Sequence, residues 1–324
     1  MPAPRDPAVL MRVAELYYLE DKSQAEIAEI LSTGRPNVSR MLKEAQRQGI
    51  VEIKVHDPSG RARDLERRLA DVFGLSDVRV SARNPHGGDV SARVGALVAA
   101  LLLESLGETT TVGISWGRAL HASVEALHTD RDHDVTVVQL LGGMSAIGNE
   151  VSGQELARSL ALALGGGYRL MHAPATLGSA DAARALREEP SVAEALDAAR
   201  RCDIALVGIG TPTSGSSAAV VDSIGLDEAD ARTFWDQEPV GDLAGRYFTA
   251  TGAPVGGPVD DRVIAVGLRD LAAIPLVVGV AIGRDKTAAV HGALLGHHVD
   301  TLVCDESLAR SLLTHQNSSP EGTP

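Results

Sequence analysis

The sequence predicts an α/β protein in two parts, an N-terminal winged helix-turn-helix followed by a Rossmann-like α/β domain with a largely parallel sheet. Three observations predict it. Residues 23–49 read as two short amphipathic helices around a glycine-containing turn, and from residue 76 onward short apolar runs alternate with Ala- and Leu-rich helical stretches. Charge divides at the same place: through residue 70 there are 12 Lys or Arg against 11 Asp or Glu, whereas the remaining 254 residues hold 18 against 32. The acidic bulk would repel nucleic acid, so the N-terminal part is the one that could grip it.

In the first part, Ser23 is placed to N-cap a helix, with Glu26 completing a capping box. That helix would bury Ile27, Ala28 and Leu31, and a second would bury Val38, Met41 and Leu42, each set at the spacing of one apolar stripe. Ser32-Thr33-Gly34 supplies the turn and Pro36 sits near the first helical position, where a missing N–H is harmless. The polar face of the second helix carries Arg35, Asn37, Ser39, Arg40 and Lys43, and then Arg47. The first five are the expected DNA contacts, because arginine suits guanine and phosphate, asparagine suits adenine, and serine suits either. Gly49 fits the position just past the helix, and residues 50–55 alternate like a strand that could form the wing. The alternative is an ordinary helical hairpin with a solvated basic face. Residues 35–54 hold five basic against two acidic side chains, a modest excess, so operator binding is expected to need a homodimer or homotetramer.

The expected boundaries are 1–57 for the DNA-binding domain, 58–75 for a linker helix, 76–315 for the α/β domain and 316–324 for a disordered tail without apolar periodicity. Asp57-Pro58-Ser59-Gly60 reads as a turn, and Leu65, Leu69, Val72 and Phe73 form one helical face that could pack on its own domain or on a partner chain. Strands are expected over 78–80, 111–114, 135–140, 168–172, 204–207, 263–266, 276–281 and 301–304. Helices are expected over 88–104, 118–127, 154–164, 192–200 and 286–295. Such alternation places a ligand at the C-terminal strand ends.

Glycine and polar residues collect at those ends: Ser115-Trp116-Gly117-Arg118, Gly142-Gly143-Met144-Ser145, Gly208-Ile209-Gly210-Thr211 and Ile282-Gly283-Arg284-Asp285-Lys286. Glycine lets backbone N–H groups approach a ligand, and a following helix N-terminus favours an anion. With Ser115, Arg118 and Lys286 nearby, a phosphorylated small molecule is the favoured ligand class. Cys202 and Cys304 form no metal motif and read as buried free thiols of a cytoplasmic protein. No run is long and apolar enough to span a membrane, and no cofactor or metal is expected.

These residues carry a resemblance. Gln24-Ala25-Glu26-Ile27-Ala28 with Ser39-Arg40, Val112-Gly113-Ile114-Ser115-Trp116-Gly117-Arg118, Leu141-Gly142-Gly143, Ala173-Pro174-Ala175, Val207-Gly208-Ile209-Gly210, residues 241–248 and the Gly-x-x-Lys of 283–286 occur in order over about residues 9–314. In this the chain resembles the SorC family of bacterial sugar-responsive transcription regulators, whose effector domain is similar to glucosamine-6-phosphate isomerase/deaminase. The resemblance implies that a small sugar or sugar phosphate binds the large domain and changes how an oligomer holds its operator. It implies effector contacts from Ser115, Gly117, Arg118 and Lys286 at the phosphate and from Asp242 at sugar hydroxyls; Gly142 and Gly143 complete the expected set. Ala119 stands where many relatives place threonine, and Phe248-Thr249 where many have Phe-Asp, which leaves an unphosphorylated polyol or pentose as an alternative ligand. A phosphosugar isomerase/deaminase-like enzyme is the competing reading, but Gly208-Ile209-Gly210 runs into Thr211-Pro212-Thr213-Ser214 where such enzymes continue into Asp-Gly-His. The expectation is therefore no catalysis. A sugar-sensing module without DNA binding is the other alternative.

Overall fold

In the computed structural model the described residues are 6–51, 60–84, 87–144 and 152–318. Contacts divide the chain into two compact units, Met1–His56 and Asp57–Pro324.

The described residues of the first unit form three helices, α1 (Pro7–Tyr18), α2 (Gln24–Ile30) and α3 (Arg35–Arg47). Ser23 and Glu26 form the capping box at α2, and Ile27, Ala28, Val38, Met41 and Leu42 are buried, with Leu31 half-buried at the helix end. The core closes only with α1, which adds Leu10, Val13, Ala14 and Leu16. Its start is written as Asp6-Pro7, an N-cap whose carboxylate accepts the Ala8 N–H followed by proline in the first turn. In the α2–α3 turn the left-handed residue is Ser32, with φ of 46°, while Gly34 is the extended N-cap of α3. The strand expected over 50–55 falls, beyond Ile50 and Val51, outside the described residues, as does most of the 57–60 turn.

The second unit begins with α4 (Arg63–Phe73), β1 (Asp77–Ser81), α5 (Val90–Ser105), β2 (Thr110–Ile114), α6 (Arg118–Glu125), β3 (Val135–Gln139), α7 (Gly153–Ala163) and β4 (Gly167–Arg169). It continues with α8 (Ala180–Glu188), α9 (Pro190–Arg200), β5 (Ile204–Gly210), α10 (Gly215–Ile224), α11 (Glu228–Trp235) and the hairpin strands β6 (Gly241–Leu243) and β7 (Arg246–Phe248). The last elements are α12 (Leu268–Leu271), β8 (Leu276–Ala281), α13 (Thr287–Leu295), β9 (Thr301–Asp305) and α14 (Glu306–Ser318). Seven strands lie in the order β1-β9-β8-β5-β2-β3-β4, all parallel; the β6–β7 hairpin joins the end of β5 antiparallel. Apart from the exposed edge strand β4, the parallel sheet is buried on both faces. One core gathers side chains of α5, α6 and α7, the other those of α4, α13 and α14, which is why its strands read as continuous apolar runs.

The structure departs from the sequence reading at three segments. Residues 263–266 are extended but form isolated bridges to Thr176 and Leu141 instead of a ladder, because the carbonyls of Val263, Ala265 and Val266 accept from the buried Arg246 guanidinium, with Arg187 also bound at Val263. The strand expected over 168–172 stops at Arg169, since the Met171 N–H turns to the Gln139 side chain. Residues 316–318, expected in a disordered tail, are the last turn of α14; 319–324 lie outside the described residues. The α4 stripe packs on its own unit through Leu65, Leu69 and Phe73, whereas Val72, expected on that face, is exposed.

Candidate functional site

In the first unit the side chains expected to meet DNA share the solvent side of α3. Arg35, Arg40 and Lys43 are exposed, and Asn37 and Ser39 are half-buried. Asn37 donates from Nδ2 to Thr33 Oγ1 at 2.8 Å, so its amide is held by the turn. Arg40 Nε bonds the Pro36 carbonyl at 3.3 Å. Arg47 is paired with Glu44, Nε to Oε2 at 2.8 Å, which removes it from the cationic face. No side chain caps the α3 N-terminus, the end that recognition helices direct at base edges.

In the second unit the chain runs outward from β2 to β3 and β4, then returns to place β5 on the other side of β2. Beyond the C-terminal ends of β2 and β5 the connections therefore diverge, and a crevice opens there. It holds a cavity of about 250 Å³. From β2 come Ser115, Gly117 and Arg118; from the end of β5 and the first turn of α10 come Gly210 and Ser214–Ser217; Asp242 enters from the hairpin and Lys286 from the turn after β8. Two helix N-termini, those of α6 and α10, face this space without side-chain caps, so their amides and dipoles favour an anion.

Each polar group has a traceable position. Ser115 is buried and its Oγ accepts the Gly208 N–H at 3.2 Å, stitching β2 to β5 at the cavity floor. Asp242 is buried opposite Gly210 in the β5–β6 pairing; its Oδ2 accepts the Gly245 N–H at 3.0 Å. Its Oδ1 is buried without a well-aligned hydrogen-bond partner, although the Ser217 hydroxyl lies beside it. Gly210 makes this approach possible: a Cβ there would lie 1.8 Å from Ser217 Oγ and 2.0 Å from Asp242 Oδ1. Burial pushes the Asp242 carboxyl up from its usual range, with Ser217, the Gly245 amide and Lys286 acting against that shift. Burial likewise pushes the half-buried Lys286 ammonium down; Asp242 and Asp285 oppose this and Arg118 adds to it. The cavity thus offers one desolvated acceptor and a cationic, amide-lined wall, an arrangement suited to a polyhydroxylated ligand with an anionic end.

Known proteins supply the context for this geometry. A family profile described as "Putative sugar-binding domain" matches residues 57–314. The deoxyribonucleoside regulator of Bacillus subtilis is 29% identical over 304 residues, covering 94% of this chain and 96% of its own length. The transcriptional regulator LsrR of Escherichia coli is 29% identical over 304 residues, covering 93% of each chain. The crystal structure of the full-length sorbitol operon regulator SorC from Klebsiella pneumoniae superposes with a TM-score of 0.72 at 27% identity, covering 95% of this chain and 99% of that one. The chain belongs to the SorC family of sugar-binding transcriptional regulators.

Within this SorC-family chain, Ser115, Gly117, Arg118, Asp242 and Lys286 converge on one cavity from three segments far apart in sequence. Gly142 and Gly143 do not line it. The Gly142 N–H donates to the Ile264 carbonyl, and Gly143 exchanges hydrogen bonds with the 173–175 segment, so this pair belongs to a backbone junction. Ser145 is outside the described residues. Sequence reasoning missed Ser214, Ser216 and Ser217; the signal was a serine cluster opening a helix after a strand-end glycine. Tyr247, whose hydroxyl donates to the Ser217 carbonyl from inside the core, ties that helix to the hairpin. His291 and His298 are buried elsewhere, bonded to Gln316 and to the Gly252 carbonyl.

Proposed function

We propose that this chain is a cytoplasmic, homo-oligomeric operator-binding regulator whose grip on DNA is set by a sugar or sugar phosphate held between β2 and β5. The observation that carries the reading is that Asp242, whose buried Oδ1 has only the Ser217 hydroxyl beside it, and Lys286 line one cavity that two helix N-termini border. Ligand hydroxyls would donate to Asp242, and a phosphate would meet the α6 and α10 amides with Arg118 and Lys286. Arg35, Asn37, Ser39, Arg40 and Lys43 would contact operator DNA, Asn37 after exchanging its bond to Thr33. One α3 brings few net charges, so two or four copies on spaced half-sites would supply the affinity. The names of the relatives, a deoxyribonucleoside regulator and a sorbitol operon regulator, support a polyhydroxylated effector.

The test is a thermal-shift screen of sugars, polyols and their phosphates, followed by fluorescence anisotropy on the DNA upstream of the chain's own transcription unit. One compound should raise the melting temperature and change DNA affinity, and affinity should fall steeply with salt. The compound should be recovered unconverted. Salt-insensitive binding, or equal affinity for unrelated DNA, would overturn the regulator reading; conversion of the ligand would favour an enzyme.

A further inference from the structure

Farther along the same sheet edge, the C-terminal ends of β1 and β9 open onto a second cavity of about 370 Å³, next to the first at the start of α5, where Ser91 lines one and Val90 and Arg93 the other. Arg83, Arg93 and Arg310 are among the residues that line it, with Ser81 and Ser307, whose hydroxyl donates to Asp305. Two carboxylates are also present, and both are engaged within the protein. Asp305 accepts the Gly283 N–H at 2.7 Å through Oδ1 and Ser307 N–H at 3.0 Å through Oδ2. Glu306 accepts the Arg83 backbone N–H at 2.7 Å through Oε2, and Arg310 Nε at 2.8 Å and NH2 at 2.7 Å through Oε1. Arg93, half-buried, touches neutral oxygens: Nε lies 3.3 Å from Ser81 Oγ and NH1 3.3 Å from the Asp89 carbonyl. The lining therefore carries more guanidinium than carboxylate charge and donor forks beyond those its own acids occupy.

We propose that this cavity is a second small-molecule site, independent of the one between β2 and β5, that takes a compact dianion clasped by Arg83, Arg93 and Arg310. The volume exceeds that of a single oxyanion, and planar forks suit the paired oxygens of phosphate or carboxylate groups. The site's walls reach two other parts of the unit. Ser81 is bridged by Arg61, and around it the Ala62 N–H donates to Val80 at 2.9 Å and the Ala82 N–H to Gly60 at 2.8 Å, so the segment entering this unit is tied to one wall. Asp305, the register partner of Ser81 on the neighbouring strand, holds Gly283, in the turn that leads to Lys286. Occupancy should tighten both attachments.

The experiment uses the full chain carrying Lys286→Ala, which disables the anion end of the other cavity, titrated calorimetrically with inorganic pyrophosphate and with malate. At least one probe should bind, and hydrogen exchange at the Ala62 and Ala82 amides should slow on binding. Adding Arg83→Gln and Arg93→Gln should weaken the affinity by about tenfold or more. If the double replacement impairs folding, Arg93→Lys, which keeps charge but loses the fork, should weaken it less. Preference for pyrophosphate assigns a phosphate ester and preference for malate a dicarboxylate. The proposal is overturned if neither probe binds up to about 1 mM, or if the arginine replacements leave affinity unchanged. Failure of the sugar-effector reading would appear separately, as no binding of any sugar or sugar phosphate to a chain that carries Arg83→Gln and Arg93→Gln with Lys286 intact.

Discussion

Gly142 and Gly143 are adjacent and were both expected at the ligand, yet the structure predicts opposite responses to a single methyl group. A Cβ on Gly142 would lie 2.5 Å from the Pro174 carbonyl oxygen, 2.6 Å from its carbon and 2.7 Å from the Ala173 oxygen. All three atoms are backbone, so no side chain can swing aside; the 173–175 segment must move, straining the junction in which Gly142 donates to Ile264. Overpacking of this kind costs about 1–3 kcal/mol, and the weakened backbone hydrogen bond adds about 1. At about 2–4 °C per kcal/mol for a unit of this size, Gly142→Ala should lower the melting temperature by roughly 5–15 °C. On Gly143 the nearest atom to a Cβ is Gln154 Nε2 at 3.5 Å, an ordinary contact with a flexible side chain. Gly143→Ala should stay within about 1 kcal/mol of the parent, with a small gain from the restricted unfolded chain. Differential scanning calorimetry of both variants, with effector titration of each, decides the matter. Equal melting temperatures for Gly142→Ala and the parent, together with lost ligand binding, would refute the packing argument and restore Gly142 to the ligand site.

Other outcomes follow from the same geometry. Arg40→Ala should weaken operator binding by about 10-fold or more and flatten its salt dependence by about one unit for each copy bound, without altering effector affinity; anisotropy at several salt concentrations reads both, and an unchanged salt slope would remove Arg40 from the interface. Lys286→Ala should weaken a phosphorylated effector by about tenfold or more while affecting its dephosphorylated counterpart less, a difference that paired calorimetric titrations measure. Equal losses for the two ligands would place the phosphate elsewhere. Burial pushes the Cys202 thiol up to about 11 and raises Cys304 further. Thiolate is the reactive form, so neither should be alkylated by iodoacetamide at pH 8 until the chain is unfolded; labelling of the folded protein, detected by mass spectrometry, would contradict their burial.

Much of this was legible in the residues. Ser23 and Glu26 announced the start of α2, and the stripes of α2 and α3 ended on the buried face, because capping and helical periodicity are local properties. The α1 helix had equally local signals in Asp6-Pro7 and in Leu10, Val13 and Ala14, which went unread. The buried central strands of the parallel sheet are legible because they are apolar on both faces, whereas β1 carries the buried, ion-paired Arg79. Residues 263–266 carry the same apolar signature, but their carbonyls went to Arg246 and Arg187, from other parts of the fold. A hydrogen-bond partner supplied by tertiary structure leaves no trace in the segment that accepts it.

The sequence by itself determined the two-part organisation, the α/β class and which strand-end turns could meet a ligand, since those follow from periodicity, composition and the chemistry of glycine, serine and lysine within each segment. Only the tertiary structure decided which of those turns share a cavity. Strand order is set by long-range pairing, and because β5 lies beside β2, Gly210, Ser217 and Asp242 gather with Ser115 and Lys286. The same packing presses Gly142 against Pro174, turning a glycine that sequence chemistry assigns to ligand into one that backbone contact requires.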